Sequence, residues 1–321
     1  MKKTALLVLT LIIASTINAQ IGTTTVAVPQ QKEQKPVYDS TENFLGEKNV
    51  QSYVGQILFV LPKRQALAKY GYGDFKPIDY DPESYRGPLD HYGEDAEYSK
   101  FNTKYENLVG KYFRVDSISK RSYAKYNFYL TNTNDRTDRC CFIYNAAYES
   151  AFPFMVLSHF NYLKGKYVGS QYIIKHFCIH QFDIITGDSI IIKDDLTTVW
   201  TVTDLTILDD DNNTLAYVIK SGDMTSYIEV ENFDRYNYTN GGKIIFDKNG
   251  WDSLVKKYGL TMMKMVWQGE IKIGMPEILL RYSWGKPERI NSSSYGNTQY
   301  VYDNDYVYVK DGKVVSWQSS H

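Results

Sequence analysis

The chain has 321 residues, 36 Lys and Arg against 37 Asp and Glu, three Cys and 29 Tyr, with 43% hydrophobic and 23% charged residues. This usage excludes a disordered, collagenous or disulfide-scaffold protein, and a near-neutral charge with no basic cluster excludes the phosphate-neutralising surface that nucleic-acid binding needs. Single cores stop growing near ~250–300 residues, so the length predicts about two to three domains.

Lys2 and Lys3 precede an apolar run from Ala5 to Ile13, and Ile17-Asn18-Ala19 ends in a small residue before Gln20. The pattern predicts a secretory signal peptide over 1–19, cleaved after Ala19. The run is too short for a spanning helix, which needs about 20 residues, and the first cysteine is Cys140, which argues against a lipid anchor. A soluble periplasmic or secreted protein is expected. Residues 20–43 are polar, with Pro29 and Pro36 and no apolar period, and read as a flexible leader.

From there to about residue 240 the texture is β. Gln56–Leu61, Lys111–Val115 and Thr197–Val202 read as strands, and Asp209–Asn213 and Asn240-Gly241-Gly242 as turns. Three segments share an apolar-x-Gly-Lys/Gln core followed by a strand: Ser52–Gln56, Asn107–Lys111 and Tyr162–Lys166. Their glycines, Gly55, Gly110 and Gly165, are 55 residues apart. Such a period suits small barrels of the SH3-like or OB-like kind better than a two-layer sandwich of ~100 residues. The expected organisation is three β modules, at 44–103, 104–160 and 161–240, followed by an α+β unit at 241–321.

One connection stands out. Between Tyr70 and Tyr98 lie eight acidic residues, three prolines and four glycines, with six tyrosines counting both ends. Structureless loops beyond about 12–15 residues are uncommon and are usually functional or disordered. The simpler reading is a solvated excursion pinned by tyrosine contacts. If the protein reads a ligand through tyrosine, the contact residues are Tyr70, Tyr72, Asp74, Tyr80, Asp81, Tyr85 and Tyr92, and a Ca²⁺ site of carboxylates and carbonyls is the variant of that reading.

The C-terminal texture differs. Trp251, Leu254, Val255 and Tyr258 share one helix face, and Gly259 stops the helix. A second helix runs from Pro276 to about Trp284, ended by Gly285 and Pro287. Strands Thr298–Asp303, Asp305–Val309 and Lys313–Gln318 follow, the last two joined by Asp311-Gly312, a pair suited to hairpin twist.

Ile273-Gly274-Met275, then Gly285-x-Pro287, then Tyr300-x-Tyr302 and Val307-x-Val309-x-x-Gly312-Lys313-Val314 together resemble the SmpA/OmlA (BamE-like) domain over residues 250–321. The resemblance implies two helices packed on a three-stranded antiparallel sheet and a non-enzymatic role in envelope assembly or protein contact. This chain departs from the pattern in two ways. Pro276 stands where a capping Ser or Thr usually follows the Met, and the lipidated Cys of the family's assembly proteins is missing, so an outer-membrane assembly role does not carry over.

Chemical constellations are sparse. His176, Cys178 and His180 would share one strand face, spaced about 6.5–7 Å apart. That spacing suits cross-strand packing better than one Zn²⁺ or Cu ion. Cys178 sits in an apolar run rather than at a thiol-activating helix N-terminus. It either bridges to Cys140 or Cys141 or stays a free thiol, one cysteine being left over in any pairing. Asp209-x-Asp211-x-Asn213 begins like a Ca²⁺ loop, but Thr214 and Lys220 stand where Gly and Glu are required, so it reads as a hairpin turn. Ser117-x-x-Lys120 matches a hydrolase dyad only in spacing. No catalytic residue, metal or cofactor is expected. The sequence reads as a non-catalytic exported bacterial envelope protein acting as an interaction or scaffold module, with an envelope protein or cell-wall glycan as partner. A glycan or peptidoglycan binder is the alternative and an envelope hydrolase the second.

Overall fold

The computed structural model describes residues 36–81, 95–97, 99–175, 179–192, 195–208, 210, 212–235, 242–292 and 296–319. The signal peptide, most of the leader, and His176 and Cys178 lie outside the described residues. What is described is mainly β, in antiparallel sheets.

The first sheet region contains β1 (Ile57–Val60), α1 (Gln65–Ala68), β2 (Phe75–Pro77), β3 (Asp95–Ala96), β4 (Ser99–Thr103), α2 (Tyr105–Leu108), β5 (Tyr112–Ser122), β6 (Lys125–Asn132), β7 (Arg139–Asn145) and β8 (Phe154–Val156). Six strands form one sheet in the order β2-β7-β6-β5-β1-β8, with β3 and β4 paired apart. The sheet curls until its two edges touch: Phe75 of β2 and Phe154 of β8 have ring centroids 5.6 Å apart, with Phe142 5.0 Å from Phe154. Inside lies an aromatic core of Tyr53, Phe75, Phe113, Phe128, Phe142 and Tyr144.

The 55-residue repeat has a structural meaning. Tyr53-Val54-Gly55-Gln56 and Leu108-Val109-Gly110-Lys111 are each a turn with Gly at +90° and +74°, closed by Gln56 N–H to Tyr53 O at 2.9 Å and Lys111 N–H to Leu108 O at 3.1 Å. This is the type II geometry that requires glycine at its third position. The strands that follow, β1 and β5, then pair with each other about a local two-fold axis through Leu58 opposite Phe113. Gly55 N–H donates to Val115 O at 2.8 Å, and Gly110 N–H donates to Val60 O at 3.1 Å. The copies therefore do not close into separate barrels. The boundary expected at 103/104 falls inside one sheet, because the strand after each turn takes the strand after the other as a ladder partner.

The third copy is displaced from its expected place. Gly165 lies within α3 (Leu157–Tyr167), and the equivalent turn is Tyr167-Val168-Gly169-Ser170. Gly169 has φ +89°, and its N–H donates to Val202 O at 2.8 Å. It opens a second sheet containing β9 (Gln171–Ile174), β10 (Trp200–Ile207), β11 (Leu215–Ser221) and β12 (Met224–Glu229), then α4 (Val230–Arg235) and β13 (Ile245–Asp247), in the order β12-β11-β10-β9-β13. Because β13 pairs with β9, this sheet crosses the boundary expected at 240/241.

Strands β9 and β13 are buried on both faces. Ile174 and Ile245, directly opposite each other, enter the core of the second sheet with Trp200, Tyr217 and Phe233. Ile173 and Phe246, the next pair, enter the C-terminal core. That core is covered by α5 (Lys248–Tyr258), α6 (Leu260–Gln268), α7 (Glu277–Trp284), β15 (Thr298–Tyr302), β16 (Asp305–Lys310) and β17 (Lys313–Ser319), with β14 (Arg289–Ser292) an exposed edge strand beside β15. Asp247 caps α5, its carboxylate accepting from Gly250 N–H at 2.6 Å, and Gly259 ends the helix as expected. Pro276 occupies the cap position of α7. Asp311 and Gly312, both at positive φ, turn β16 into β17. In the C-terminal unit β13, α6 and β14 lie beyond the sequence reading, and β14 makes the sheet four-stranded.

A side chain at Gly55 or Gly110 meets nothing within 4 Å, so only backbone strain opposes it. Gly55→Ala and Gly110→Ala are each expected to destabilise by about 1–2 kcal/mol, whereas Gly165→Ala, inside a helix, should be neutral or stabilising by up to about 1 kcal/mol. Urea unfolding of the three variants checks the assignment of the turns.

Candidate functional site

The acidic tyrosine loop is partly a structural clasp. Tyr72 is 1% exposed. Its hydroxyl donates to Leu61 O at 2.6 Å and its ring stacks on Tyr105 at 5.8 Å. It is therefore a core residue rather than a ligand contact, because a buried tyrosine needs a partner for its hydroxyl and a main-chain carbonyl supplies one. Asp74 sits at φ 66°, and its carbonyl accepts from Ile143 N–H at 2.9 Å where the loop joins β2. Tyr70 is 41% exposed beneath the Lys69 ammonium. Tyr80 lies under the Arg121 guanidinium at 5.3 Å, and Asp81 is exposed. Tyr85 and Tyr92 lie outside the described residues. Tyr72 and Asp74 do share one cavity of about 410 Å³ with Lys63, Glu149 and Asn213. There the Lys63 ammonium donates to Gly71 O at 2.6 Å, and burial holds its pKa below the usual lysine value.

Two further concavities were not foreseen. The first, of about 320 Å³, lies where the paired repeat strands meet α3 and β10, and is walled by Phe59, Tyr112, Met155, Leu157, Phe160 and Leu205. Phe59 and Tyr112 are cross-strand partners with rings 4.9 Å apart. Apart from the Tyr112 phenol, no titratable side chain among the described residues lines this groove, so what is described offers shape and apolar contact rather than acid–base chemistry. Alternation along β1 and β5 places both residues on the outer face, which is the signal that could have found it.

The second concavity, of about 410 Å³, sits at the end of α7 and holds Trp284, Tyr302, Lys286, Glu288, Asp303 and Asp305 among its walls. Trp284 Nε1–H donates to Gly269 O at 2.7 Å, Tyr302 donates to Gly285 O at 3.3 Å, and the two rings meet edge to face at 5.4 Å. Behind it, Glu277 accepts from Tyr300 at 2.5 Å and pairs with Arg281 at 2.9 Å.

Among the described residues no group of three His, Cys, Asp or Glu could hold a metal ion. Two members of the histidine-cysteine triplet lie outside the described residues. The third, His180, stacks on Tyr227 at 4.0 Å and lies 3.5 Å from Glu229. Cys140 and Cys141 are free and buried. Burial pushes the Cys141 thiol up to about 11 and the Cys140 thiol well above its ordinary value, the reverse of an activated nucleophile. Asp210 closes the turn between β10 and β11 by accepting from Asn212 and Thr214 N–H at 3.0 and 2.9 Å. Lys120 pairs with Glu47 at 3.0 Å. No helix of the described residues is long and apolar enough to cross a membrane.

Comparison with protein-family models, curated proteins and solved structures finds no match. The reading of function therefore rests on the chemistry of these surfaces alone.

The buried tyrosines make an alkaline prediction. Desolvation raises the phenols of Tyr53, Tyr72 and Tyr144 above the ordinary value near 10. A group whose folded pKa exceeds its unfolded one contributes stability below the unfolded pKa and loses it above. Stability is expected to fall as pH rises past about 10, with these three phenols ionising only on unfolding, which ultraviolet difference spectra at tyrosinate wavelengths check. At pH 7 a maleimide should leave Cys140 and Cys141 untouched in the native chain and label both in urea, as mass spectrometry would read.

Proposed function

We propose that this chain is a non-catalytic, exported envelope protein that acts as a protein-interaction or scaffold module, with a C-terminal unit of the BamE-like kind. The observation that carries the reading is where the tyrosines are used. Tyr53, Tyr72 and Tyr217 are buried in cores with hydroxyls donated to Asn43 O, Leu61 O and Leu163 O at 2.9, 2.6 and 3.0 Å, and Tyr144 donates to Leu45 O. A glycan reader lays aromatic rings along an open face, whereas these four rings hold the fold together.

Support for the C-terminal kinship comes from the elements themselves. A helix begins just after Pro276 and ends at Gly285, and antiparallel strands follow with turns at Asp303-Asn304 and Asp311-Gly312. Cross-linking followed by pull-down from the native envelope tests the proposal. The expected result is recovery of one or a few discrete protein partners; recovery of polysaccharide with no protein would transfer the assignment to glycan binding.

A further inference from the structure

The cavity at the end of α7 combines features that belong to cation recognition. Its aromatic wall is fixed: the hydrogen bond from Trp284 Nε1–H to Gly269 O at 2.7 Å stops the indole from turning, and Tyr302 braces it edge to face. Glu288, Asp303 and Asp305 complete the rim, against Lys286 as the cation beside them. Three carboxylates elsewhere in this unit are committed. Glu277 is on Arg281, Asp247 caps α5, and Asp252 pairs with Lys248 at 2.5 Å. Among the described residues, none of the three rim carboxylates has an ion-pair partner within salt-bridge distance.

We propose that this cavity is a receptor for an arginine side chain presented by a basic segment of a partner polypeptide. The source of that arginine rests on the protein-interaction reading above; the receptor chemistry does not. A planar guanidinium stacks on an aromatic face while its five donors fork to carboxylates, so it uses ring and rim together. A metal ion would need its oxygens to converge at roughly 2.0–2.6 Å, and this group does not converge on an ion. A neutral sugar would stack on the ring and donate hydroxyls to the carboxylates, but it brings no charge to answer the excess negative charge of the rim.

The test is titration of the full chain with N-acetylarginine methylamide, following the indole N–H resonance of Trp284, assigned by its loss in Trp284→Phe. The expected result is a saturable shift with a dissociation constant in the millimolar range, weakened about tenfold in Asp303→Asn/Asp305→Asn and weakened by salt. The isosteric neutral probe, N-acetylcitrulline methylamide, should leave the resonance in place. Asparagine tolerates the left-handed backbone that Asp303 adopts at φ 47°, so the variant should fold, and its other amide resonances confirm it. Equal shifts with citrulline, an unweakened shift in the variant, or a shift only with an N-acetylglucosamine disaccharide would each overturn the receptor. The two readings separate cleanly. Arginine binding with these dependences, alongside a pull-down that yields only polysaccharide, removes the partner and keeps the receptor. Partners captured equally by wild type and variant, with no arginine shift, keep the partner and remove the receptor.

Discussion

The architecture turns on two short strands that are buried on both sides. Along β9 and β13 consecutive residues alternate between two cores, with Ile174 and Ile245 in one and Ile173 and Phe246 in the other. Because side chains on a strand repeat every two residues, a slip of one position would exchange the two sets and place each in the wrong interior. Register here is therefore fixed from both faces at once. It seats α5 against the sheet and so sets where the C-terminal helices, and the cavity at the end of α7, come to lie.

The second organising theme is the pairing of aromatic bulk with a polar tip. The core of the first sheet is nearly continuous in rings, from Tyr53 through Phe128, Tyr144 and Phe142 to Phe154. Phenylalanine alone would fill that space, but it would leave main-chain carbonyls of the surrounding loops without donors. Each buried phenol supplies one donor and binds a loop to the core. Tyr53 does so twice over, donating to Asn43 O and accepting from Leu45 N–H at 2.7 Å. An unpartnered buried carbonyl costs roughly 1–3 kcal/mol, so the tyrosine excess belongs first to the way the chain holds its loops.

Much of this was legible in the residues, and the boundaries of legibility have physical causes. Glycine at positions 55 and 110 marks turns because only glycine sits comfortably at those angles, and the strands after them follow from β-branched and aromatic content. The third copy misled because the eye follows Gly-Lys, whereas the turn depends on Val-Gly: Val54, Val109 and Val168 all adopt nearly the same extended backbone before their glycine. That copies one and two would pair with each other rather than each close alone is a long-range choice with no local signature. Helix α6 escaped because Leu260–Gln268 carries no capping residue beyond Gly259. Of the residues singled out in the acidic loop, Tyr72 proved structural, since alternation around a short strand does not tell a clasp from a contact. The C-terminal cavity could not be read at all, because it joins Gly269, Trp284 and Asp303 across three separate elements.

The local two-fold pairing of β1 with β5 also orders events in time. Strand β1 is only four residues long. It needs β5, more than fifty residues downstream, on one side and β8, nearly a hundred downstream, on the other. Strands β5, β6 and β7 pair with their immediate neighbours in sequence, but the sheet as a whole is not closed until Val156 has arrived. A polypeptide built in this way forms its local hairpins first and closes its sheet on long-range pairings, the slower kind of contact to form.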